Sequence, residues 1–334
     1  SIFDVGINRQ YLASHIRYLY VYKKMIRGNS HIMKLFSPRR LHELLIKDTY
    51  DVEIAYLEGP CARIISGCNE PKTKKYAWIH IEQHSPEIAT RSFRNQKEAE
   101  FCYNSFDQIN CVSETVLKDF RECLKINVPL KVIYNTNESE KIINLSREAV
   151  GEEFISSGAF KLIGVGKLLK SKGFDRILRI VKRLLDEEYN VHFYILGIGE
   201  EEKNLKQYIA ENNLKNSVTL LGYQTNPYKY VAKSDLFVCA SLREGFSTAA
   251  TEALIVGTPV CTVDVSGMKE MLGDNNEYGV VVPNEEENLY SAIKNFIISP
   301  ERLSYYKKKA IQRGKFFSMK NTVSAVEKLV NGDL

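Results

Sequence analysis

From Phe160 onward the chain alternates between short apolar runs and longer stretches in which apolar residues return every three or four positions. The runs cover 160–165, 191–196, 218–221, 236–239, 259–263 and 279–282. Short, predominantly apolar runs of this length predict buried strands. The stretches between them, 174–188, 200–213, 227–233, 247–256, 268–272 and 285–298, predict helices. Regular alternation of the two predicts a parallel sheet covered by helices on both faces. Ligands bind such sheets beyond the carboxyl ends of the strands. Gly166, Gly197 and Gly245 stand at or soon after three of those ends, so they point to one crevice. The first half of the chain is less regular, with strands predicted at 52–57, 76–80, 108–112 and 131–134 and helical segments between them. Residues 135–139 read as the exit into a linker that ends near Phe160, and an amphipathic segment over 317–330 closes the chain.

Length and composition narrow the class. At 334 residues there is room for two domains of ordinary size, and 44% apolar with 26% charged residues describes a globular chain. No apolar run approaches the length of a membrane-spanning helix, and the first residues lack the basic start and apolar core of a signal peptide. Seven widely spaced cysteines suit buried thiols in a reducing cytoplasm. None has Cys-x2-Cys spacing, which argues against a zinc site. The net charge of +5 sits entirely in the first part, where 20 Lys and Arg face 15 Asp and Glu through Tyr134. Residues 17–47 hold eight basic residues, a single acid (Glu43) and an interleaving of Tyr18, Tyr20, Tyr22, Met33, Leu35 and Phe36. Such a stretch fits either an anionic membrane surface or a solvated helix face. No nucleic-acid motif accompanies it.

The densest chemistry lies at 243–254, Arg-Glu-Gly-Phe-Ser-Thr-Ala-Ala-Thr-Glu-Ala-Leu. A Gly-containing turn from strand into helix presents free amides and the positive end of the helix dipole, which together bind phosphate. Were the segment helical throughout, Glu244 and Glu252 would stand roughly 12 Å apart. That separation exceeds the usual range for a two-carboxylate hydrolase.

This segment resembles the donor-site signature of the family 4 retaining glycosyltransferases, of the type that builds bacterial polysaccharides. The same resemblance runs through Gly164-Val165-Gly166-Lys167-Leu168-Leu169-Lys170-Ser171-Lys172-Gly173-Phe174-Asp175, Leu196-Gly197-Ile198-Gly199-Glu200, Ser234-Asp235-Leu236-Phe237-Val238 and Gly257-Thr258-Pro259-Val260. It continues in Ser266-Gly267-Met268-Lys269-Glu270 and Tyr278-Gly279-Val280-Val281-Val282-Pro283. It implies an α/β chain of the GT-B kind, with two facing Rossmann-like domains built on parallel sheets. An acceptor-side domain would cover 1–145, a nucleotide-sugar domain 146–305, and helices over 306–334 would return to the first domain. Members of the family open with a strand, a Gly-rich turn and a long helix that this chain lacks. The first domain is therefore expected to be shortened or rebuilt, which bears on acceptor binding and turnover.

The resemblance also distributes roles. Lys172 and Lys167 would hold the donor diphosphate at Gly166, with Lys167 standing where the family carries an Arg. The amides of Gly245, Phe246 and Ser247 would hold the donor near its diphosphate and sugar, Glu252 would bind ribose hydroxyls, and Glu244 would sit by the sugar. His80 would touch the donor sugar from the first domain, with His84, Ser113 and Asn135 as weaker cleft candidates, and Tyr223 would read or stack on the base. The expected reaction moves a sugar from a nucleoside diphosphate donor, UDP-hexose by family frequency, to a glycan or lipid-linked acceptor. No metal is expected, since lysines would carry the diphosphate charge and no Asp-x-Asp motif is placed to bind one. Alternatives are a sugar-nucleotide epimerase of the same fold and a nucleotide-sugar-binding module without turnover. The location would be cytoplasmic or peripheral to the inner membrane face.

Overall fold

The computed structural model describes residues 12–24, 29–151, 154 and 158–332. Packing divides the chain into two compact units, one of Ser1–Asn110 with Leu117–Lys131, the other of Cys111–Val116 with Val132–Leu334.

The four-stranded sheet has the order β1 (Val52–Ala55), β2 (Lys74–Ile79), β3 (Gln108–Cys111), β4 (Leu130–Val132). β1 and β2 run parallel, with Val52 opposite Lys74 and Ala55 opposite Ala77. β2 begins two residues before its predicted start, because Lys74 and Lys75 occupy the less buried end of the strand and give no apolar signal. Trp78, Ile79, Ile109, Phe93, Tyr103 and Phe120 fill the core of this unit. Helix α1 (Pro38–Leu45) starts where Ser37 accepts the Arg40 amide and Pro38 occupies the first turn. Helix α2 (Pro60–Ile65) follows β1 directly.

The second sheet has six strands, β5 (Phe160–Val165), β6 (Val191–Leu196), β7 (Val218–Gly222), β8 (Leu236–Cys239), β9 (Val260–Val263) and β10 (Val280–Val282). Their spatial order is β10-β9-β8-β5-β6-β7, and each neighbouring pair is parallel. The chain therefore winds outward in one direction from β5 and in the other from β8. Between those two strands the connections leave toward opposite faces, and the crevice at their carboxyl ends opens there. Helix α3 (Phe174–Asp186) seals one face with Phe174, Ile177, Leu178, Val181 and Leu184, and turns Arg179 and Arg183 outward. Helix α4 (Thr248–Val256) is apolar around most of its circumference, since helix α5 (Pro300–Phe316) covers the side the sheet does not. Helix α6 (Met319–Asn331) ends the described chain.

Phe237 lies in β8 between β5 and β9 and is 1% exposed. Phe237→Ala should cost about 3–5 kcal/mol, read as a lower urea midpoint with an unchanged slope.

Candidate functional site

The two connections that flank the strand-order reversal are tied together by backbone. After β5 the chain passes Gly166 and Lys167 and makes one 3-10 turn at Lys170–Lys172. It then enters α3 through Gly173 at φ 65°. A Cβ on Gly173 would lie 2.1 Å from the Ala240 carbonyl oxygen, so only glycine lets this turn press against the end of β8. The Leu242 amide donates to the Ser171 carbonyl at 2.7 Å, joining the loop after β8 to the same turn. Arg176, almost fully buried, donates to the Ala240 carbonyl at 3.0 Å and to Asn284 Oδ1 at 2.6 Å.

This clamp brings Lys172 and Glu244 together. Lys172 Nζ donates to Glu244 Oε1 at 2.7 Å, and the Ser241 hydroxyl donates to the same oxygen at 2.7 Å. Glu244 is 8% exposed, so its charge is met by an ammonium and a hydroxyl rather than by water. The Cys239 thiol lies 3.9 Å from the same oxygen, and burial pushes that thiol up. Gly166 faces open space, where even an added Cβ would meet only the Lys172 side chain at 4.0 Å. Lys167 is exposed and forms no ion pair among the described residues.

Glu244 lies outside the helix, because α4 begins at Thr248 with Ser247 as its cap. The spacing expected for a wholly helical Glu244–Glu252 segment therefore does not apply, and the two carboxylates occupy unlike settings. The Ser247 hydroxyl accepts the Ala250 amide at 3.4 Å. Among the described residues the amides of Gly245, Phe246 and Ser247 meet no acceptor, which leaves three donors at a helix N-terminus. The Phe246 ring is not presented to a ligand. It is buried against Tyr134 and Phe317 at centroid distances of 5.0 and 5.5 Å, and it fixes the turn from behind. Gly267 packs against the Gly245 carbonyl, and beside it the buried Ser266 hydroxyl has no hydrogen-bond partner among the described residues.

Glu252 stands half-buried in the second turn of α4 and accepts the Tyr228 hydroxyl at 3.2 Å. Burial pushes its carboxyl from the usual 4.5 up to about 7. Tyr223 is 47% exposed on the loop after edge strand β7, apart from the hydrogen bonds that join Lys172, Ser241 and Glu244.

His80 belongs to the other unit, immediately after β2. Its backbone amide donates to Glu58 at 3.1 Å, its ring meets Tyr56 edge-on at 4.8 Å, and both buried ring nitrogens have no hydrogen-bond partner among the described residues. Desolvation draws the His80 imidazole below its usual value, favouring the neutral ring. His84 is held by its backbone amide to Asp119 at 2.9 Å, Ser113 accepts the Val116 amide at 3.2 Å, and the Asn135 carbonyl accepts from Asn137 at 3.1 Å. Ser241, Tyr228 and Arg176 carry no motif of their own, and Ser266 entered only as part of a longer motif, so the sequence did not single them out as site residues. The signal for Ser241 was only its place three residues before Glu244.

Comparison with known proteins covers the same region. Residues 146–313 match the family model described as "Glycosyl transferases group 1". The chain is 35% identical over 191 residues to the N-acetylgalactosamine-N,N'-diacetylbacillosaminyl-diphospho-undecaprenol 4-alpha-N-acetylgalactosaminyltransferase of Campylobacter jejuni, covering 56% of this chain and 49% of that protein. It is 30% identical over 149 residues to the lipopolysaccharide core biosynthesis glycosyltransferase LpsD of Rhizobium meliloti, covering 44% and 42%. These matches span about half the length of the curated relatives, or less. Among solved structures, HepE of Anabaena in complex with UDP and glucose superposes with a TM-score of 0.72 at 20% identity, over 94% of this chain and 86% of that one. TarM of S. aureus, in complex with fondaparinux, alpha-GlcNAc-glycerol and UDP, gives 0.70 at 18% identity over 87% and 58%.

The folded chain holds the Glu252 proton more tightly than the unfolded chain does, so stability falls as pH rises from 4.5 toward about 7. Glu252→Gln escapes that loss. Its thermal midpoint, measured against wild type from about pH 5 to about pH 8, should gain by several degrees toward the alkaline end.

Proposed function

Because the chain belongs to the group 1 glycosyl transferases, we propose that it moves a sugar from a nucleoside diphosphate donor to a glycan or lipid-linked acceptor in surface polysaccharide synthesis. The observation that carries this reading is the clamp after β5 and β8, which sets Lys172 beside three free amides at the N-terminus of α4. A departing diphosphate needs charge stabilisation along its length, and preorganised amides with an ammonium supply it without reorganisation. Lys172 has three N–H donors and spends one on Glu244, so it can bind a phosphate oxygen while keeping that partner. Lys167 would add a second positive charge beside Gly166, and no step requires a metal ion.

Glu252 would bind the ribose hydroxyls, and Glu244, held in place by Lys172 and Ser241, would face the sugar. His80 would donate or accept as a neutral ring toward the sugar hydroxyls, and Tyr223 would lie against the base. The complexes of HepE and TarM with UDP support a uridine carrier. The diphospho-undecaprenol acceptor and the alpha linkage in the name of the Campylobacter jejuni relative support a lipid-linked acceptor and retention of configuration. Retention would follow from front-face attack, with the diphosphate taking the acceptor proton.

A lipid-linked acceptor places the protein at a membrane surface. No helix among the described residues is long and apolar enough to cross one. The exposed Leu35 and Phe36 beside Arg39 and Arg40 support peripheral contact with anionic lipid through residues 17–47.

Calorimetric titration with UDP, GDP and ADP tests the donor site. UDP should saturate the protein, and Lys172→Ala and Glu252→Ala should each weaken it about tenfold to a hundredfold. Binding of none of the three would sink the proposal. Glu252 must ionise to accept two ribose hydroxyls, so wild-type affinity for UDP should rise as pH passes about 7 and stay flat in Glu252→Gln.

A further inference from the structure

Away from the donor site, in the four-stranded unit, three side chains of metal-binding type converge below the surface. His42 lies on α1, Glu53 on β1, and Cys68 just beyond α2. They are 9, 5 and 5% exposed, and their nearest ligand atoms all lie within 4.8 Å of one another. His42 Nε2 faces both Glu53 oxygens, at 3.0 and 2.9 Å. The Cys68 thiol looks onto the same carboxylate and onto Thr73.

The fold forces this meeting. A Cβ on Gly67 would lie 2.1 Å from the Pro38 carbonyl oxygen, so the turn carrying Cys68 is pressed against the start of α1. Pro38 and His42, four residues apart, share one face of that helix. Arg63 locks the preceding segment by donating to the Met33 and Phe36 carbonyls and to Glu98. The three candidate ligands therefore sit on elements that cannot drift apart independently.

Charge is the second consideration. Glu53 is buried, and among the described residues no Lys or Arg pairs with it. One imidazole nitrogen aimed at two oxygens leaves most of the carboxylate's accepting capacity unused. That spare capacity, beside an imidazole and a thiol, leaves room for a cation at the centre of the cluster.

We propose that His42, Glu53 and Cys68 form a binding site for a divalent transition metal of the zinc class. A mixed sulfur, nitrogen and oxygen set suits zinc in tetrahedral geometry, whose ligand atoms stand about 3.3–3.8 Å apart. The cluster needs only a small opening between His42 and Glu53 and a small approach by Cys68. Metal binding displaces the thiol proton and any proton on His42 Nε2, and a water takes the fourth position. Thr73, which the Cys68 thiol faces, also borders an open cleft of about 380 Å³ with Tyr50, Asp51, Glu70 and Lys72. The ion would staple α1, β1 and the turn after α2, stabilising this unit without entering the transfer chemistry. The site stands whether or not the donor reading does.

Cobalt(II) titration of the full chain, followed by zinc, tests it. One cobalt ion per chain should give thiolate-to-metal charge-transfer absorption that zinc abolishes, and zinc should raise the thermal midpoint by several degrees. Both effects should vanish in Cys68→Ser. Wild-type protein without that absorption, or a folded Cys68→Ser protein that keeps it, would overturn the proposal. Should Cys68→Ser not fold, Glu53→Gln is read in its place. A fall in zinc affinity of at least tenfold supports the site, and unchanged affinity rejects it.

Discussion

Two loops leaving neighbouring parallel strands can meet only where neither puts a side chain in the path of the other's backbone. After β5 and β8 that condition is met at one residue, Gly173, whose missing Cβ leaves room for the Ala240 carbonyl. The rest of the crevice depends on this contact. It sets Ser171 within reach of the Leu242 amide, aligns Arg176 with Ala240 and Asn284, and delivers Lys172 to Glu244. The topology supplies the place, since winding reverses between these two strands and nowhere else in the sheet. The glycine turns that place into a rigid cradle.

The carboxylates that bracket the turn show how environment separates chemically equal groups. Glu244 is deeply buried yet shares one oxygen with an ammonium and a hydroxyl, so its charge is well met. Glu252 is half-buried and among the described residues meets only the Tyr228 hydroxyl, and desolvation pushes its carboxyl up to about 7. It also sits past the first turn of α4, where the positive end of the helix dipole has largely faded. A group left so poorly compensated is one whose energy falls when a ligand brings two hydroxyl donors to it. Glu244 already has its partners in Lys172 and Ser241.

Much of this was legible in the sequence, and the limits are instructive. The six strands of the second unit fell close to their predicted positions because apolar residues dominate each, most plainly in β6, β8 and β9, which are almost wholly buried. The start of β2 was hidden for the opposite reason, since Lys74 and Lys75 lie where the strand is not enclosed. The turn at Gly245 was readable from local chemistry, a strand followed by Gly and a capping Ser. Its neighbours were not. Tyr228 and Arg176 earn their places through contacts between segments far apart in the chain, and no spacing rule sees those. The same blindness applies to His42, Glu53 and Cys68, which a search for closely spaced cysteines passes over.

The pairing of Lys172 with Glu244 also bears on which anion the cradle prefers. A small anion that met Lys172 alone would face an ion pair of zero net charge, and Glu244 would repel it. The proposed diphosphate offers oxygens on two phosphorus atoms, so it could engage the lysine and the amides of Gly245, Phe246 and Ser247 together. The helix terminus then contributes its partial positive charge, which Glu244 does not cancel, since the carboxylate is turned toward Lys172 and Ser241. Binding strength thus comes from bridging two modest sites rather than from one strong one. In the proposed transfer, the charge that grows on a departing diphosphate would be spread over the same donors, so the contacts that select it would also stabilise its leaving. On that reading the cradle would gain little from inorganic phosphate and much from a nucleoside diphosphate.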